Sequence, residues 1–383
     1  MGFLLMVVRY LVAMKSSSVL ATIAMVMIST QAAGQPAAAP PAIFVFGDGA
    51  LDVGNNNDLT GGEIGDPSRA NHPYYGIDYP GGQPTGRFSN GYNIADFIAK
   101  GLGFEMSSLA YPSLPDRSPD KMEGFTGVNY ASANAGIQDS TYANTTIPLS
   151  TQVENFGETR DRLKALLGGR KPLSMFLSKS LFLIGLGTGM DLIPDSNPFA
   201  SLFPPKDDNK TQVQRLTELL GTTITTMHGM GARKFGIINV GLIGCTPAVQ
   251  SISGGLGGDG PCDDDLNRLA AEFNSALGTL LPDLASKLHG FRYSLADFYG
   301  FSNATFTNPS ASGFVNTISA CCPGPCGPPS PYVGEPCSNR AEYWFWDYGY
   351  TTEKAAKLAA AAFYSGKRFA MPVNFKRLIA MKG

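Results

Sequence analysis

Short apolar runs alternating with amphipathic helical stretches predict an α/β fold, with a parallel sheet covered by helices on both faces. Two observations support this. The run 43–46 (Ile-Phe-Val-Phe) stops at Gly47-Asp48-Gly49, as a buried parallel strand stops at a turn. Hydrophobic residues make up 43% of the 383 residues and charged residues 16%, the balance of a globular chain with a sizeable core. No repeat and no internal linker interrupts the pattern, so a single domain is expected over 42–383.

Taken in order, residues 1–34 are expected to be a secretory signal. Lys15 precedes an apolar run over 19–28, and the small residues Ala32, Ala33 and Gly34 form the expected cleavage site. An uncleaved anchor is the alternative, but Arg9 and Lys15 leave neither apolar piece long enough to span a bilayer alone. A Pro/Ala-rich linker fills 35–41. Further strands are expected at 181–186, 235–240 and 291–296. In 212–230, Val213, Leu216, Leu220, Ile224 and Met227 fall on one helical face. In 263–289, Leu266, Leu269, Phe273, Leu277, Leu280, Leu284 and Leu288 do the same, and Asp263, Asp264 and Asp265 suit the positive end of that helix. In such sheets reactive groups sit just beyond the carboxyl ends of the strands.

Composition excludes several function classes. With 29 basic and 31 acidic residues the net charge is −2, which gathers neither nucleic acid nor an anionic membrane. Three sequons, at Asn144, Asn209 and Asn303, agree with secretion. Six cysteines (Cys245, Cys262, Cys321, Cys322, Cys326, Cys337) suit disulfides in an oxidising compartment, with the pairing left open. A zinc cluster at Cys321-Cys322-x3-Cys326-x10-Cys337 is the weaker reading, because Pro and Gly fill the spacing and no His lies nearby. No cofactor and no metal are expected.

Several segments, in order, carry a family resemblance. They are 44–57 (Phe-Val-Phe-Gly-Asp-Gly-Ala-Leu-Asp-Val-Gly-Asn-Asn-Asn), 84–91 (Pro-Thr-Gly-Arg-Phe-Ser-Asn-Gly), 127–132 (Gly-Val-Asn-Tyr-Ala-Ser) and 231–235 (Gly-Ala-Arg-Lys-Phe). Ile243-Gly244-Cys245-Thr246-Pro247, Cys337-Ser338-Asn339-Arg340 and Phe345-Trp346-Asp347 follow. From Pro41 almost to its end the chain resembles the plant GDSL esterase/lipase family of the SGNH hydrolases. The resemblance implies a three-layer α/β/α sandwich with a central parallel sheet, flavodoxin-like, and secretion to the apoplast. It also implies ester cleavage by a Ser nucleophile, a His base three residues after an Asp, and oxyanion donors from a Gly N–H and an Asn side chain.

At those positions this chain departs from the pattern. The nucleophile position of Gly-Asp-Ser is Gly49, which has no side chain to attack with. Asp-x-x-His reads Asp347-Tyr348-Gly349-Tyr350, so Tyr350, a phenol with a reference pKa near ~10, stands in for the base. Gly-x-Asn-Asp is matched by Thr188-Gly189-Met190-Asp191, where Met190 cannot donate a hydrogen bond; a one-residue shift of alignment leaves no Asn either. The family's Gly pair reads Ala133-Asn134, placing Ala133 at the second oxyanion position. Asp347 retains the acid without a His to orient, and Asp48 is expected to hold its turn. Losing a triad Ser or His costs roughly 10⁶ in rate, against about 10²–10³ for one oxyanion donor. The substitutions at Gly49 and Tyr350 therefore decide the expectation.

The expectation is a secreted protein that has lost ester hydrolysis and binds an acyl-ester, lipid or acetylated-carbohydrate ligand, or a partner protein. The alternative is an active carboxylic-ester hydrolase or acyltransferase with a relocated nucleophile, Thr188 or Ser132. Of the three histidines, His72 lies in a loop near the expected site, whereas His228 and His289 sit in or at the end of helices.

Overall fold

A computed structural model describes residues 39–59, 68–114, 124–193, 208–254, 260–323, 326 and 334–382. The expected signal (1–34) and all but the end of the linker lie outside the described residues. The strands are β1 (Ile43–Gly47), β2 (Gly127–Asn129), β3 (Leu181–Gly185), β4 (Lys234–Ile238), β5 (Arg292–Ala296), β6 (Asn316–Ala320), β7 (Tyr343–Phe345) and β8 (Ala370–Met371). Six of them form one sheet in the order β2-β1-β3-β4-β5-β8; β6 and β7 form a small second sheet. Every pairing in the main sheet is parallel except β5 with β8.

Strand alternation sends successive side chains to opposite faces, and each face is covered by its own helices. Phe44, Phe46, Phe182, Ile184, Phe235 and Ile237 face one layer. That layer consists of α2 (Leu149–Leu166), α3 (Arg170–Lys179), α4 (Asn209–Met230) and α6 (Asp264–Lys287). Ile43, Val45, Leu181, Leu183, Ile238 and Ala296 face the other. There lie α1 (Ile94–Gly101), α7 (Phe298–Thr307), α8 (Glu353–Tyr364) and α9 (Phe375–Ala380). A further helix, α5 (Pro247–Gly254), follows β4. Parallel register sets Phe44 beside Phe182 and Phe182 beside Phe235, with ring centroids 5.1 and 5.8 Å apart. Such pairs add about 0.5–1.5 kcal/mol each beyond the area they bury.

The expected helices begin and end for local reasons. Asp208 caps α4 by accepting from Thr211 N at 2.8 Å, and Gly231, at φ +119°, ends it. Asp263 caps α6 through Leu266 N at 2.9 Å, with Asp264 and Asp265 in the first turn. The expected strands shift by one or two residues at their ends. Four strands were not expected: β2 and β7, each three residues long, β8, two residues long and antiparallel, and β6 of the small second sheet. Three are too short to show alternation, and β6 (Asn-Thr-Ile-Ser-Ala) holds a single large apolar residue.

Two sequence motifs are scaffold. Arg87 forms a fork with Asp96 in α1 (Nε–Oδ2 and Nη2–Oδ1, both 2.8 Å), and both groups are buried. Asp96 also accepts from Asn93 N and Ser107 N at 3.0 Å, so no lone pair faces an apolar wall. Asn55 donates to the carbonyls of Asn129 and Ala131 at 3.0 and 2.9 Å, and Asn56 to Ser68 and Ala133 at 2.9 and 3.2 Å. These amides tie the loop after β1 to the chain leaving β2. The cysteines pair as Cys245–Cys262, Cys321–Cys337 and Cys322–Cys326, and none is free. Among the described residues no helix is long and apolar enough to cross a membrane.

Candidate active-site region

The carboxyl ends of β1 and β3, the chain leaving β2, and the loop after β7 converge on one place. Gly47 opposes Gly185 in the parallel ladder at φ +122°, and a Cβ there would strike the Gly185 backbone. The chain therefore turns tightly, and Asp48 and Gly49 emerge at the sheet's carboxyl edge. Asp48 is buried. Its Oδ1 accepts from Ala50 N at 3.0 Å, and its Oδ2 from Thr188 N at 2.8 Å and Thr188 Oγ1 at 2.7 Å. It thus holds its own turn and also joins the ends of β1 and β3. Burial pushes its carboxyl up to about 6, against the pull of these bonds.

Asp52, also buried, accepts from Gly54 N and Asn55 N at 2.8 Å and from Ala133 N at 3.1 Å; burial raises it to about 6 as well. The Ala133 N–H is therefore committed to Asp52. The next backbone N–H, that of Asn134, lies beside the Tyr350 phenol and slightly favours its ionised form. Asn134 reaches this position from a left-handed backbone, φ 63°, which Asn tolerates better than most residues.

Tyr350 fills the space that a side chain at position 49 would enter. A Cβ built on Gly49 meets the Tyr350 hydroxyl and lies 2.5 Å from its Cζ and 2.6 Å from its Cε1. Gly49 has no left-handed φ, so the obstacle there is the phenol and not the backbone. Phe88 packs on Tyr350 at 4.7 Å between centroids. Burial, with Asp48 and Asp347 nearby, pushes the phenol well above its usual range, so it stays protonated.

Asp347 is buried, and its bonds are all internal. Oδ1 accepts from Gly349 N at 2.9 Å and Tyr350 N at 2.7 Å, and Oδ2 accepts from Tyr75 Oη at 2.7 Å. Burial raises its carboxyl. Tyr75, 272 positions away, has no local sequence signal and was missed, as was the Asp52–Ala133 tie.

The remaining candidates separate. Met190 lines a crevice of about 10 Å³ with Asp48, Ala135, Leu216 and Phe273. Its neighbour Asp191 accepts from Ile137 N at 2.7 Å and Gln138 N at 3.1 Å. Thr188 lines a second crevice, of about 30 Å³, with Leu242, Phe298, Trp344 and Gly349. These hold roughly one water and a couple of waters, whereas ligand pockets run to about 300–1,000 Å³. Ser132 is fully buried; its hydroxyl donates to Asn56 Oδ1 at 2.5 Å and accepts from Ile147 N at 2.9 Å. His72 is buried against Tyr75, with Nδ1 2.9 Å from Pro73 O, and Nε2 of His228 lies 2.9 Å from His289 O. Neither the Thr188 nor the Ser132 hydroxyl is bonded to a histidine. The sequon residues Asn144, Asn209 and Asn303 are all exposed.

A mostly parallel sheet between two helix layers, with a Gly-Asp turn after its first strand and a buried acid beyond β7, defines an α/β protein of the SGNH hydrolase fold. The profile of the GDSL-like Lipase/Acylhydrolase family matches residues 43–363. One GDSL esterase/lipase of Arabidopsis thaliana is 33% identical over 359 residues, covering 89% of this chain and 86% of that protein. A second is 34% identical over 365 residues (91% and 93%), and a third 36% over 336 residues (82% and 85%). The chain belongs to the GDSL esterase/lipase family.

Proposed function

We propose that this chain is a secreted member of the family that has lost ester hydrolysis and acts by binding a ligand or a partner. One observation carries the reading: where an attacking hydroxyl would stand, Gly49 faces the Tyr350 phenol, which occupies that volume. Three further facts support it. The phenol, raised well above its usual range, is no base near neutrality. Asp347 is satisfied by Tyr75 and by backbone donors. The crevices beside Met190 and Thr188 are too small for an acyl chain. On this reading Gly49, Tyr350, Met190 and Ala133 are vestigial positions, and Asp347 is a structural acid. Exposure of Asn144, Asn209 and Asn303 suits glycosylation on a secretory route.

A relocated nucleophile has one point in its favour: Thr188 Oγ1 donates to Asp48, whose carboxyl sits at about 6. That carboxyl is a weak base for an alkyl hydroxyl, and its oxygen already holds the Thr188 N–H. The deciding experiment is hydrolysis of short- and long-chain p-nitrophenyl esters by the purified protein, with fluorophosphonate labelling alongside. The expected outcome is no turnover above a heat-denatured control and no adduct. Saturable turnover, or an adduct mapped to Thr188, overturns the proposal.

A further inference from the structure

A recess away from this site is large enough to hold a ligand. It is an open groove of about 410 Å³ walled by Asp78, Asn90, Asn339, Arg340, Glu342 and Glu353, with Ser338 and Lys354 at its margins. Three distant chain segments build it, and internal bonds fix their spacing. Arg340 grips Asp78 in a fork, Nε to Oδ2 at 2.7 Å and Nη2 to Oδ1 at 2.8 Å. Asn90 donates to the same Asp78 at 2.7 Å and accepts from Glu353 N at 2.8 Å. The Arg340 pairing holds Asp78 below the usual carboxylate range.

The hydrogen-bonding capacity left over indicates what would bind. Both cations are engaged, Arg340 with Asp78, and Lys354 with the carbonyls of Gly313 and Ala341 at 2.6 and 2.8 Å and over the Phe314 ring at 4.4 Å. An anion therefore meets three carboxylates, while both cations that line the groove are committed. A metal ion finds no cage, since no group of three or more His, Cys, Asp or Glu side chains among the described residues is placed to hold one. An acyl chain finds polar walls. What remains is mostly acceptors. Glu353 accepts from Tyr92 N through Oε1 and Glu342 from Asn339 Nδ2 through Oε2, which leaves Glu353 Oε2, Glu342 Oε1, Asn339 Oδ1 and the Ser338 hydroxyl without partners among the described residues. Glu353 is half-buried, and desolvation raises its carboxyl, so a hydroxyl donated to it replaces little water.

We propose that this groove binds a neutral oligosaccharide, whose hydroxyls donate to these acceptors while its lack of charge avoids the engaged ion pairs. The proposal rests on the non-catalytic binding role above and names its ligand class and its place. No aromatic ring lines the groove, so affinity comes from hydrogen bonds exchanged with water, each worth about 0.5–1.5 kcal/mol net. Four to five of them correspond to a dissociation constant near the millimolar range.

The test is chemical-shift titration of the full secreted chain with cellotetraose and, separately, xylotetraose. Tetragalacturonate and calcium chloride serve as anionic and cationic comparisons. Support is a saturable shift with at least one neutral tetrasaccharide that weakens about tenfold or more in Asn339→Trp and Ser338→Trp. Both changes fill the groove from exposed positions and leave the Arg340–Asp78 fork in place. No saturable shift with either neutral probe up to about 20 mM, roughly twenty times the expected constant, overturns the proposal. So does tighter binding of tetragalacturonate or calcium, or neutral binding unchanged in both folded variants. Ester turnover by the parent chain would sink the non-catalytic reading without touching this result, so the two failures are distinguishable.

Discussion

Restoring the missing hydroxyl by Gly49→Ser is expected to destabilise the protein, because the site is already filled. The backbone at position 49 accepts any residue, so the cost comes from one contact. The new Cβ would lie 2.5 Å from Tyr350 Cζ and 2.6 Å from Cε1, well inside van der Waals contact. Forcing an extra group into a packed site costs about 1–3 kcal/mol. The single variant should therefore lose about 1–3 kcal/mol in urea unfolding. In a Tyr350→His or Tyr350→Ala background the obstruction is gone, and the same Ser should cost under about 1 kcal/mol. The double-mutant cycle should show a coupling of about 1–2 kcal/mol, within the range that residues in contact display. A Gly49→Ser variant within about 0.5 kcal/mol of the parent, the scatter typical of uncoupled surface changes, would refute the reasoning. So would a cost that persists without the phenol.

Three further outcomes follow from the same geometry. Gly49→Ser with Tyr350→His should hydrolyse p-nitrophenyl acetate about 10²–10⁴ faster than Gly49→Ser alone, the usual worth of a general base; equal rates would show that Asp347 and the cleft no longer orient an imidazole. Arg87→Ala should cost about 3–5 kcal/mol in denaturant unfolding, because Asp96 is left buried without its counter-charge. Acidification should stabilise the chain through Asp48. Its folded pKa of about 6 lies above the 3.8 of an exposed aspartate, so the native state binds the proton more tightly, and the gain is lost as pH rises through 6. Between pH 7 and 5 this amounts to about 1.3 kcal/mol. The melting-temperature difference between parent and Asp48→Asn should change by a few degrees over that interval, whereas a constant difference would contradict the burial argument.

What was legible in the sequence follows the range of the forces involved. The runs around Phe44, Phe182 and Phe235 announce buried strands, and Asp208 and Asp263 announce helix starts, because both signals depend on neighbours within a few residues. The two-residue β8 carries no such pattern. At the site, Gly49 and Tyr350 could be named from motif positions, and the turn-holding role of Asp48 from its residue type. Their consequence could not. That the phenol enters the space of position 49 depends on how the loop after β7 folds over β1, some 300 residues apart along the chain. Tyr75 on Asp347 and Asp52 on Ala133 are long-range bonds of the same kind. Thr188, named from the sequence as an alternative nucleophile, donates its hydroxyl to Asp48, a bond between chain segments 140 residues apart.

The three acids of the site explain why the family's motifs do not depend on a serine at 49 or a histidine at 350. Asp48 holds Ala50 and Thr188, Asp52 holds Gly54, Asn55 and Ala133, and Asp347 holds Tyr75, Gly349 and Tyr350. Most of those donors are backbone N–H groups, which exist whatever side chain follows. None of the bonds requires a serine at 49 or a histidine at 350. Each acid is buried and has a raised pKa, so each costs stability in its ionised form and is offset by the loop ends it ties together. Folding therefore depends on the acids, and ester cleavage on side chains at two other positions. In this architecture a motif match through Asp48 and Asp347 is evidence about the turns of the sheet edge, and activity has to be read from what stands at 49 and 350.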